Sequence, residues 1–416
     1  MDKSLLWLWL SLHFGANSRV YGSLISYFDD IEDVYQSTQM DMDLIGWLSI
    51  SDKRKILNKN LEHANEVREW CDNNDVQIIS YSDDRYPSAL RKIRNFPPIL
   101  YCKGEFPDFD NEISVSAVGT RAMTSHGQRL AFDFGYTLSK GGAITVSGMA
   151  RGIDTTVAIG TINAFGRTVA VLGSGIDIVY PRENYALMNK IVENGAVITE
   201  FPPHTPPNSY HFPIRNRIIS GISNATVIIE APLDSGAMIT ARTAIEQGKP
   251  LFAVPGIAKF HSNNGTNALI KNDDAKMATS AEDVLKIFYQ EHKDKINLMA
   301  ASKRPVFSRS ALKVGASALD EDEFYSKSKE KKRKIGKNVK KFEEIIEDEQ
   351  EVILDPQKYS EEQIKIYSTM EKRVPVLIDD LVLKTELSAS EISSNLTLMQ
   401  IDGLVDEISG GFFVKI

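Results

Sequence analysis

The chain has 416 residues and a formal net charge of −8 at pH 7, so we expect two or three domains and exclude a protein that coats nucleic acid by bulk electrostatics. Its two cysteines are too few for a four-ligand zinc site or a disulfide framework, which fits a reducing cytoplasm. The apolar stretch LLWLWLSLHF near the N-terminus is much shorter than a membrane span and predicts the first helix of a soluble domain, with no membrane partner.

Residues 1–75 predict a small helical domain, because apolar side chains recur there at helical spacing. Residues 76–112 form a lead-in to the next domain, in which two short apolar runs flank a helix marked by proline.

One pattern then repeats between residues 113 and 256: a short apolar run, a tight cluster of Gly, Ser, Arg or Pro, and a helix-like segment. The runs are ISVSAVG (113–119), AITVSG (143–148), TVAVLG (168–173), AVITE (196–200), ATVIIE (225–230) and LFAVPG (251–256). Buried strands of a parallel sheet have this composition and spacing. The pattern predicts an α/β core over residues 76–290, and such sheets bind ligands at the edge where the strand tips lie side by side.

The first two tips carry groups that suit an anionic ligand. They are Gly119-Thr120-Arg121 and the stretch from Ser147-Gly148 to Arg151, which offer glycines for close approach of backbone amides, helix N-termini and guanidinium groups. The G-x-G-x-x-G fingerprint of dinucleotide sites is absent, which disfavours NAD. Asp154 follows at a helix start, where a structural role is favoured over ligand binding.

The densest cluster is FPPHTPPNSYHFPIRNRIISG, residues 201–221. Tyr210 and Phe212 supply flat rings, and Arg215, Asn216 and Arg217 follow within a few residues. Guanidinium groups beside aromatic rings are typical of sites for single-stranded nucleic acid. The alternative is that Phe212 belongs to the core and one arginine is a structural ion-pair partner, and we expect the latter of at least one of the two.

The sequence shows no convincing set of catalytic residues. Glu200 and Glu230 end two strands and Glu246 follows in a helix, but no nucleophile elbow, Walker loop or metal-binding spacing accompanies them. We expect structural roles for the two strand-end glutamates, and neither catalytic residues nor a metal or cofactor.

The C-terminal part divides into a charged flexible linker, residues 291–359, and an ordered domain, residues 360–416. The linker holds a basic run, KEKKRKIGKNVKK, and an acidic run, FEEIIEDEQEVILD. Capping-box spacings at Ser360 and Ser388, and two short strands joined through Gly410 and Gly411, predict three helices and a hairpin, the order of a winged helix. Its third helix, residues 389–402, lacks Lys and Arg, which favours contact with a protein or with the basic linker over duplex DNA.

The motifs from residue 86 to residue 270 resemble those of the DNA-processing protein A family, called DprA or Smf. They include YPSALRKIRNFPPILYCKG, GTR, VSGMARGIDTTVAIG, ITEFPPHTPPNSYHFPIRNRIISG and VIIEAPLDSGAMITARTAIEQGKPLFAVPG. They cover nearly half of the chain in order. The long charged linker after His292 departs from compact members of the family.

The resemblance implies an extended Rossmann-like core, a helical SAM-like N-terminal domain and a winged-helix C-terminal domain. It implies that the protein binds single-stranded DNA, forms a homodimer and helps to load the RecA recombinase during natural transformation. The residues that it places in the DNA groove, together with their neighbours, are Gly119, Thr120, Arg121, Ser147, Gly148, Arg151, Tyr210, Phe212, Arg215, Asn216 and Arg217.

Two other functions stay open from the residues. One is a nucleotide-processing hydrolase of the phosphoribohydrolase kind, to which SGAMITARTAIEQGKP bears a vague likeness. The other is a DNA-binding regulator that acts through the winged helix alone.

Overall fold

The computed structural model describes residues 2–303, 354, 358–370, 376–385, 387–408 and 412–415. The chain forms two compact units, of which the first contains every described residue up to Lys303. Most of the predicted linker, including both charged runs almost entirely, lies outside the described residues. Within the described ranges, no helix is long and apolar enough to cross a membrane.

The first unit begins with six helices. They are α1 (Lys3–Phe14), α2 (Val20–Phe28), α3 (Ile31–Gln36), α4 (Gln39–Leu44), α5 (Ile50–Leu57) and α6 (Glu62–Asp72). All five residues from Leu6 to Leu10 of α1 are buried, which explains why this helix is apolar on every side. The side chains of α1 share one hydrophobic core with strands of the sheet that follows. The helical N-terminus is therefore packed on the sheet.

A nine-stranded sheet makes up the centre of the first unit. Its strands are β1 (Gln77–Ser80), β2 (Ile99–Gly104), β3 (Ser114–Val118), β4 (Ile144–Ser147), β5 (Thr168–Val171), β6 (Gly195–Thr199), β7 (Ala225–Ile228), β8 (Leu251–Ala253) and β9 (Lys276–Met277). The strand order is β1-β2-β6-β5-β4-β3-β7-β8-β9. The seven strands from β3 to β9 are parallel, whereas β1 and β2 pair antiparallel at one side.

Nine helices accompany these strands: α7 (Ser88–Arg91), α8 (Ser125–Lys140), α9 (Ile153–Asn163), α10 (Tyr185–Glu193), α11 (His211–Ile222), α12 (Ala237–Glu246), α13 (Asn264–Lys271), α14 (Ala281–Tyr289) and α15 (Leu298–Ala301). Every residue of the strands from β3 to β8 is buried, as expected for a parallel sheet covered by helices on both faces. The predicted α/β core with a Rossmann-like parallel sheet is confirmed.

The strand order reverses beside β3. The chain adds β4, β5 and β6 on one side of β3 and then crosses through α11 to add β7 on the other side. In open parallel sheets, the carboxyl ends of the strands at such a reversal form the usual ligand crevice. The two tips that meet there follow Val118 and Ile228, whose strands are paired in register.

The described chain remains ordered past residue 290, the predicted end of the core. Ile296 and Ala301 are buried in one hydrophobic cluster with Leu138 of α8. The amide of Asn297 donates to the carbonyl oxygen of Gly141 at 3.1 Å. The start of the predicted linker therefore packs on α8, because its apolar residues cover a helix face.

The second unit holds three helices and a small sheet. Its helices are α16 (Glu361–Thr369), α17 (Ile378–Thr385) and α18 (Ala389–Ile401), and its strands β10 (Val376–Leu377), β11 (Val405–Ile408) and β12 (Phe412–Lys415) lie in the order β10-β12-β11. Ser360 and Ser388 each form the predicted capping box. The buried side chains of Ile366, Leu381 and Leu396 join the three helices in one core. This is the predicted winged-helix arrangement.

Candidate nucleic-acid interface

Four side chains meet at the carboxyl edge of the sheet, and we call them the aromatic–guanidinium cluster: Arg121, Tyr180, Phe212 and Arg215. The ring of Phe212 lies at the centre. The guanidinium carbon of Arg121 is 5.2 Å from the centroid of that ring and the guanidinium carbon of Arg215 is 5.9 Å from it. The ring of Tyr180 lies 5.4 Å from Phe212 at an interplanar angle of 30°. Both guanidinium groups are within cation–π distance of the same ring.

Arg215 lies beneath this cluster. It is 4 % exposed, and its Nη1 donates to the carbonyl oxygen of Gly148 at 2.8 Å and to that of Val171, at the ends of β4 and β5. Its Nε donates to Asn216 Oδ1 at 3.1 Å. Burial lowers the pKa of Arg215 to about 10, with Asp154 opposing that shift and Arg121 adding to it. Arg215 is therefore still charged at neutral pH, but the structure buries it instead of presenting it to a ligand.

Arg121 is the exposed cation of the cluster. It follows β3 at the point where the strand order reverses, and no carboxylate among the described residues pairs with it. The two guanidinium groups lie around the same ring, and the charge of Arg121 contributes to the lowered pKa of Arg215. Two like charges around one ring, of which one faces solvent, attract an anion to the surface beside Phe212.

Arg151 is exposed as well, but unlike Arg121 it already forms an ion pair with a carboxylate. Its Nε donates to the carboxylate of Glu183, and both side chains are more than half exposed. Glu183 belongs to the same loop as Tyr180. This loop therefore supplies a ring to the cluster and a carboxylate that pairs with Arg151. An anionic ligand that binds Arg151 has to compete with Glu183.

Three backbone amides at the first two tips point inward, to the carboxylate of Asp154. The amide of Gly148 donates to Asp154 Oδ2 at 2.9 Å, and the amides of Gly119 and Ala150 also stabilise that carboxylate. Burial raises the pKa of Asp154, while Arg215 and these amides lower it. Asp154 thus has the structural role expected of it, and it takes the amide donors that the sequence assigned to a ligand.

A second internal carboxylate fills the N-terminus of α8. The amide and the hydroxyl of Thr124 donate to Glu230 at 3.1 Å and 2.9 Å, and the Thr124 hydroxyl in turn accepts from the amide of Gly127. Glu230 is 1 % exposed. Because a helix N-terminus is a natural phosphate site, its occupation by Glu230 removes one anion-binding position from this edge. The structural role expected for Glu230 is confirmed.

Arg217 lies in the core and not at this surface. Its side chain is fully buried, its guanidinium forms a bidentate ion pair with Glu200, and its Nε donates to the carbonyl oxygen of Asn95 at 2.8 Å. Its placement among the DNA-contacting residues is therefore wrong. The cause is its position on α11, two residues after Arg215, which turns it toward β6. The expectation that one of the two arginines is a structural ion-pair partner is confirmed.

The remaining predicted site residues vary in exposure. Thr120, Ser147 and Asn216 are buried, and Asn216 uses its side chain to bind Arg215 and, at 3.5 Å, the carbonyl oxygen of Gly236. Tyr210 is half-buried, and its ring lies 5.9 Å from that of His211. These four residues frame the cluster; their contact with DNA stays a prediction.

Sequence reasoning missed Tyr180. It lies in the loop SGIDIVYPREN between β5 and α10, 32 residues before Phe212, and nothing in its spacing relates it to α11. It is 38 % exposed. The sequence feature that could have identified Tyr180 is an aromatic residue in a loop that directly follows a predicted parallel strand.

Two family models and several known proteins match this chain. The family model described as DNA recombination-mediator protein A matches residues 77–289, and the DprA winged helix domain model matches residues 355–411. The chain is 36 % identical over 209 residues to the DNA processing protein DprA of Bacillus subtilis, covering 50 % of this chain and 70 % of that protein. It is 29 % identical over 413 residues to the protein Smf of a Synechocystis species, covering 97 % and 96 % of the two chains.

A solved structure shows the same similarity. The crystal structure of DNA processing protein A from Streptococcus pneumoniae has a TM-score of 0.60 and 29 % sequence identity to this chain. The match covers 69 % of this chain and 98 % of that one.

The buried ion pair of Arg217 yields the first prediction. Arg217→Met leaves Glu200 charged and unpaired in the core, so we expect the free energy of unfolding to fall by about 3–5 kcal/mol. Urea denaturation measures this loss. Adding Glu200→Leu to the same protein should recover most of it, because the uncompensated charge is gone.

The exposed pair of Arg151 and Glu183 is the matched control. Arg151→Met should leave the urea midpoint nearly unchanged, since exposed ion pairs contribute little. Equal losses for Arg151→Met and Arg217→Met would contradict the structural role of Arg217.

Proposed function

Because the chain belongs to the DNA recombination-mediator protein A family, we propose that its first unit binds single-stranded DNA at the carboxyl edge of the sheet. The observation that carries the proposal is the aromatic–guanidinium cluster, in which the exposed Arg121 lies over the ring of Phe212 and Tyr180 lies beside it. Guanidinium groups contact phosphates, and flat rings stack on unpaired bases. Stacking needs bases that are not already paired, which favours single strands over a duplex.

The expected binding has little sequence preference. The exposed cation beside the ring of Phe212 is the guanidinium of Arg121, and the amides of Gly148 and Thr124 are already bound by Asp154 and Glu230. Reading of base edges needs an ordered set of donors and acceptors that faces the base. Contacts with phosphates and ring faces are tolerant of sequence.

The family resemblance extends the proposal to partners. We propose that the bound strand is passed to the RecA recombinase during natural transformation, that the protein acts as a homodimer, and that it works in the cytoplasm. The free, buried thiols of Cys71 and Cys102 support a reducing compartment. Sedimentation of the pure protein tests the dimer, and a strand-exchange assay with RecA on protected DNA tests the hand-over.

The hydrolase alternative has less support. Its phosphate would need the helix N-terminus where the strand order reverses, and Glu230 already occupies that position. Glu246 lies at the last residue of α12, at the opposite edge of the sheet from the strand tips. Burial raises the pKa of the Cys71 and Cys102 thiols to about 12, which makes both poor nucleophiles.

We therefore predict no turnover by the pure protein. Incubation with nucleoside monophosphates or with single-stranded DNA should release neither base nor phosphate nor shorter DNA. Chromatography of the products checks this. Steady release that disappears in Glu246→Gln would support the hydrolase instead.

Arg121 provides the test of phosphate contact. Arg121→Ala should weaken binding of single-stranded DNA and reduce the slope of log affinity against log salt by about 0.7 for each lost phosphate contact. Fluorescence anisotropy at several salt concentrations gives both quantities. Arg68→Ala removes the same charge from the exposed face of α6, and it should change neither.

The rings provide the test of stacking. Phe212→Ala and Tyr180→Ala should each lower the affinity for single-stranded DNA by about 1–3 kcal/mol for each base that is lost. Tyr180→Phe keeps the ring and should bind normally, and Tyr210→Ala tests the neighbouring half-buried ring. Variants that bind DNA normally but melt at a lower temperature would show that these rings belong to the core.

The second unit is proposed to bind protein and not duplex DNA. The exposed residues of α18 include Glu391 and Leu398, and the hydroxyls of Ser394 and Thr397 donate to carbonyl oxygens of their own helix. Recognition of a duplex needs cations for phosphates, and this helix has none. A purely structural module is the alternative.

Truncation after Tyr359 checks this role. The shortened protein should bind single-stranded DNA within a few-fold of the full chain. In gel-shift assays at moderate salt, the full chain should shift no larger a fraction of duplex DNA than the shortened protein does. Strong duplex binding that depends on the second unit would show that this unit is a DNA reader.

A further inference from the structure

Among the described residues of the first unit, Phe165 is the most exposed large apolar side chain. It lies between α9 and β5, it is 91 % exposed, and its φ angle is +58°. Such a residue has two energetic costs. The apolar ring is exposed to water, and a positive φ is unfavourable for a bulky side chain. Because the side chain is so exposed, packing against the described residues does not offset these costs.

The local structure shows why the backbone takes this form. The amide of Gly166 donates to the carbonyl oxygen of Thr161 at 3.1 Å, across the end of α9, which makes Phe165 the left-handed residue of a helix-ending motif. Glycine or asparagine is preferred in that place. The glycine stands one residue later, where a Cβ would lie 2.7 Å from Cβ of Ser139. Phenylalanine is therefore not required at residue 165 by the motif.

A cation and a second ring lie next to Phe165. The ammonium group of Lys140, at the end of α8, is 5.5 Å from the ring centroid of Tyr136 and 6.0 Å from that of Phe165. Tyr136 is itself supported by the buried ring of Phe132, stacked at 6.4 Å. The arrangement of a lysine between two partly exposed rings repeats the chemistry of the aromatic–guanidinium cluster at the opposite edge of the sheet.

One face of α8 connects the two edges. His126, Arg129, Asp133, Tyr136 and Lys140 follow one another at spacings of three and four residues, which puts them on the same side of the helix. The N-cap of the helix, Thr124, is bound to Glu230 at the strand tips, and the last residue, Lys140, lies beside Phe165. Its 16 residues span about 24 Å. His126 and Arg129 are exposed, and Asp133 is the only carboxylate in this row, with its Oδ1 buried.

We propose that this face of α8, together with Phe165, is a second segment of the DNA path, on which a single strand continues from the strand tips. Phe165 stacks on a base, while Arg129 and Lys140 contact phosphates. The inference rests on the proposed function of the strand-tip cluster. Single-stranded DNA is favoured over a protein partner because the half-buried Lys140 and Tyr136 lie beside Phe165 on α8, instead of an apolar surface.

The test compares a short and a long strand. An oligonucleotide of about 6 residues fills the strand-tip site alone, whereas one of about 20 also reaches Phe165. Phe165→Asn should bind the short strand like the natural protein and the long strand about tenfold more weakly. It should also raise the melting temperature, because asparagine suits the left-handed backbone. A loss of DNA affinity together with a gain in stability cannot come from misfolding.

Further variants complete the test. Phe165→Tyr keeps a ring and should retain the affinity for the long strand, and Lys140→Gln should reduce the salt dependence for the long strand only. Tyr27→Asn removes a half-exposed ring from α2 and should affect neither strand. Equal affinities of Phe165→Asn and the natural protein for the long strand would overturn the inference. Failure of the natural protein to bind the short strand would instead contradict the proposed function.

Discussion

The carboxyl edge of the sheet depends on the buried guanidinium of Arg215. A cation that is 4 % exposed is costly unless its donors are satisfied and an anion lies nearby. Arg215 meets both conditions by binding the carbonyl oxygens that end β4 and β5 and by lying in the field of Asp154. It thereby fixes the tips of two neighbouring strands against the first turn of α11. Phe212, three residues earlier on that helix, is held above it.

The internal carboxylates determine what the edge can bind. Asp154 and Glu230 occupy the amide groups and the helix N-terminus that a nucleotide-binding fold offers to phosphates. These amides are therefore not available to a small phosphorylated ligand. Exposed positive charge close to the cluster is carried by Arg121 and by Arg151, which is paired with Glu183. A guanidinium surface beside rings suits a long polyanion with flat bases better than it suits an enclosed nucleotide.

Much of the fold was predictable from local patterns, and the reasons are physical. Parallel strands that are buried on both faces are short, apolar and followed by glycine-rich tips, so the runs from ISVSAVG to LFAVPG identified six strands and the edge where they end. The capping boxes at Ser360 and Ser388 likewise act over three residues and can be read directly. The order of the strands could not be read in this way, because it depends on contacts between distant segments.

The site was predictable only in part, for the same reason. The sequence pattern predicted that Arg121 and Phe212 lie at one edge of the sheet. It could not show that Arg215 lies under the ring of Phe212 or that Arg217 turns toward Glu200. Burial of two arginines that are two residues apart is set by the rotation of α11 against the sheet. Tyr180 joins the cluster through a loop whose path has no periodic pattern.

Photo-crosslinking locates the bound strand on the protein. The unmodified 416-residue chain is mixed with single-stranded DNA that carries iododeoxyuridine, the complex is irradiated, and the linked residues are identified by mass spectrometry. We expect crosslinks at Tyr180 and Phe212, at the carboxyl edge of the sheet, and their loss when unlabelled single strands compete. Crosslinks confined to residues 360–416, with none between residues 119 and 217, would contradict it.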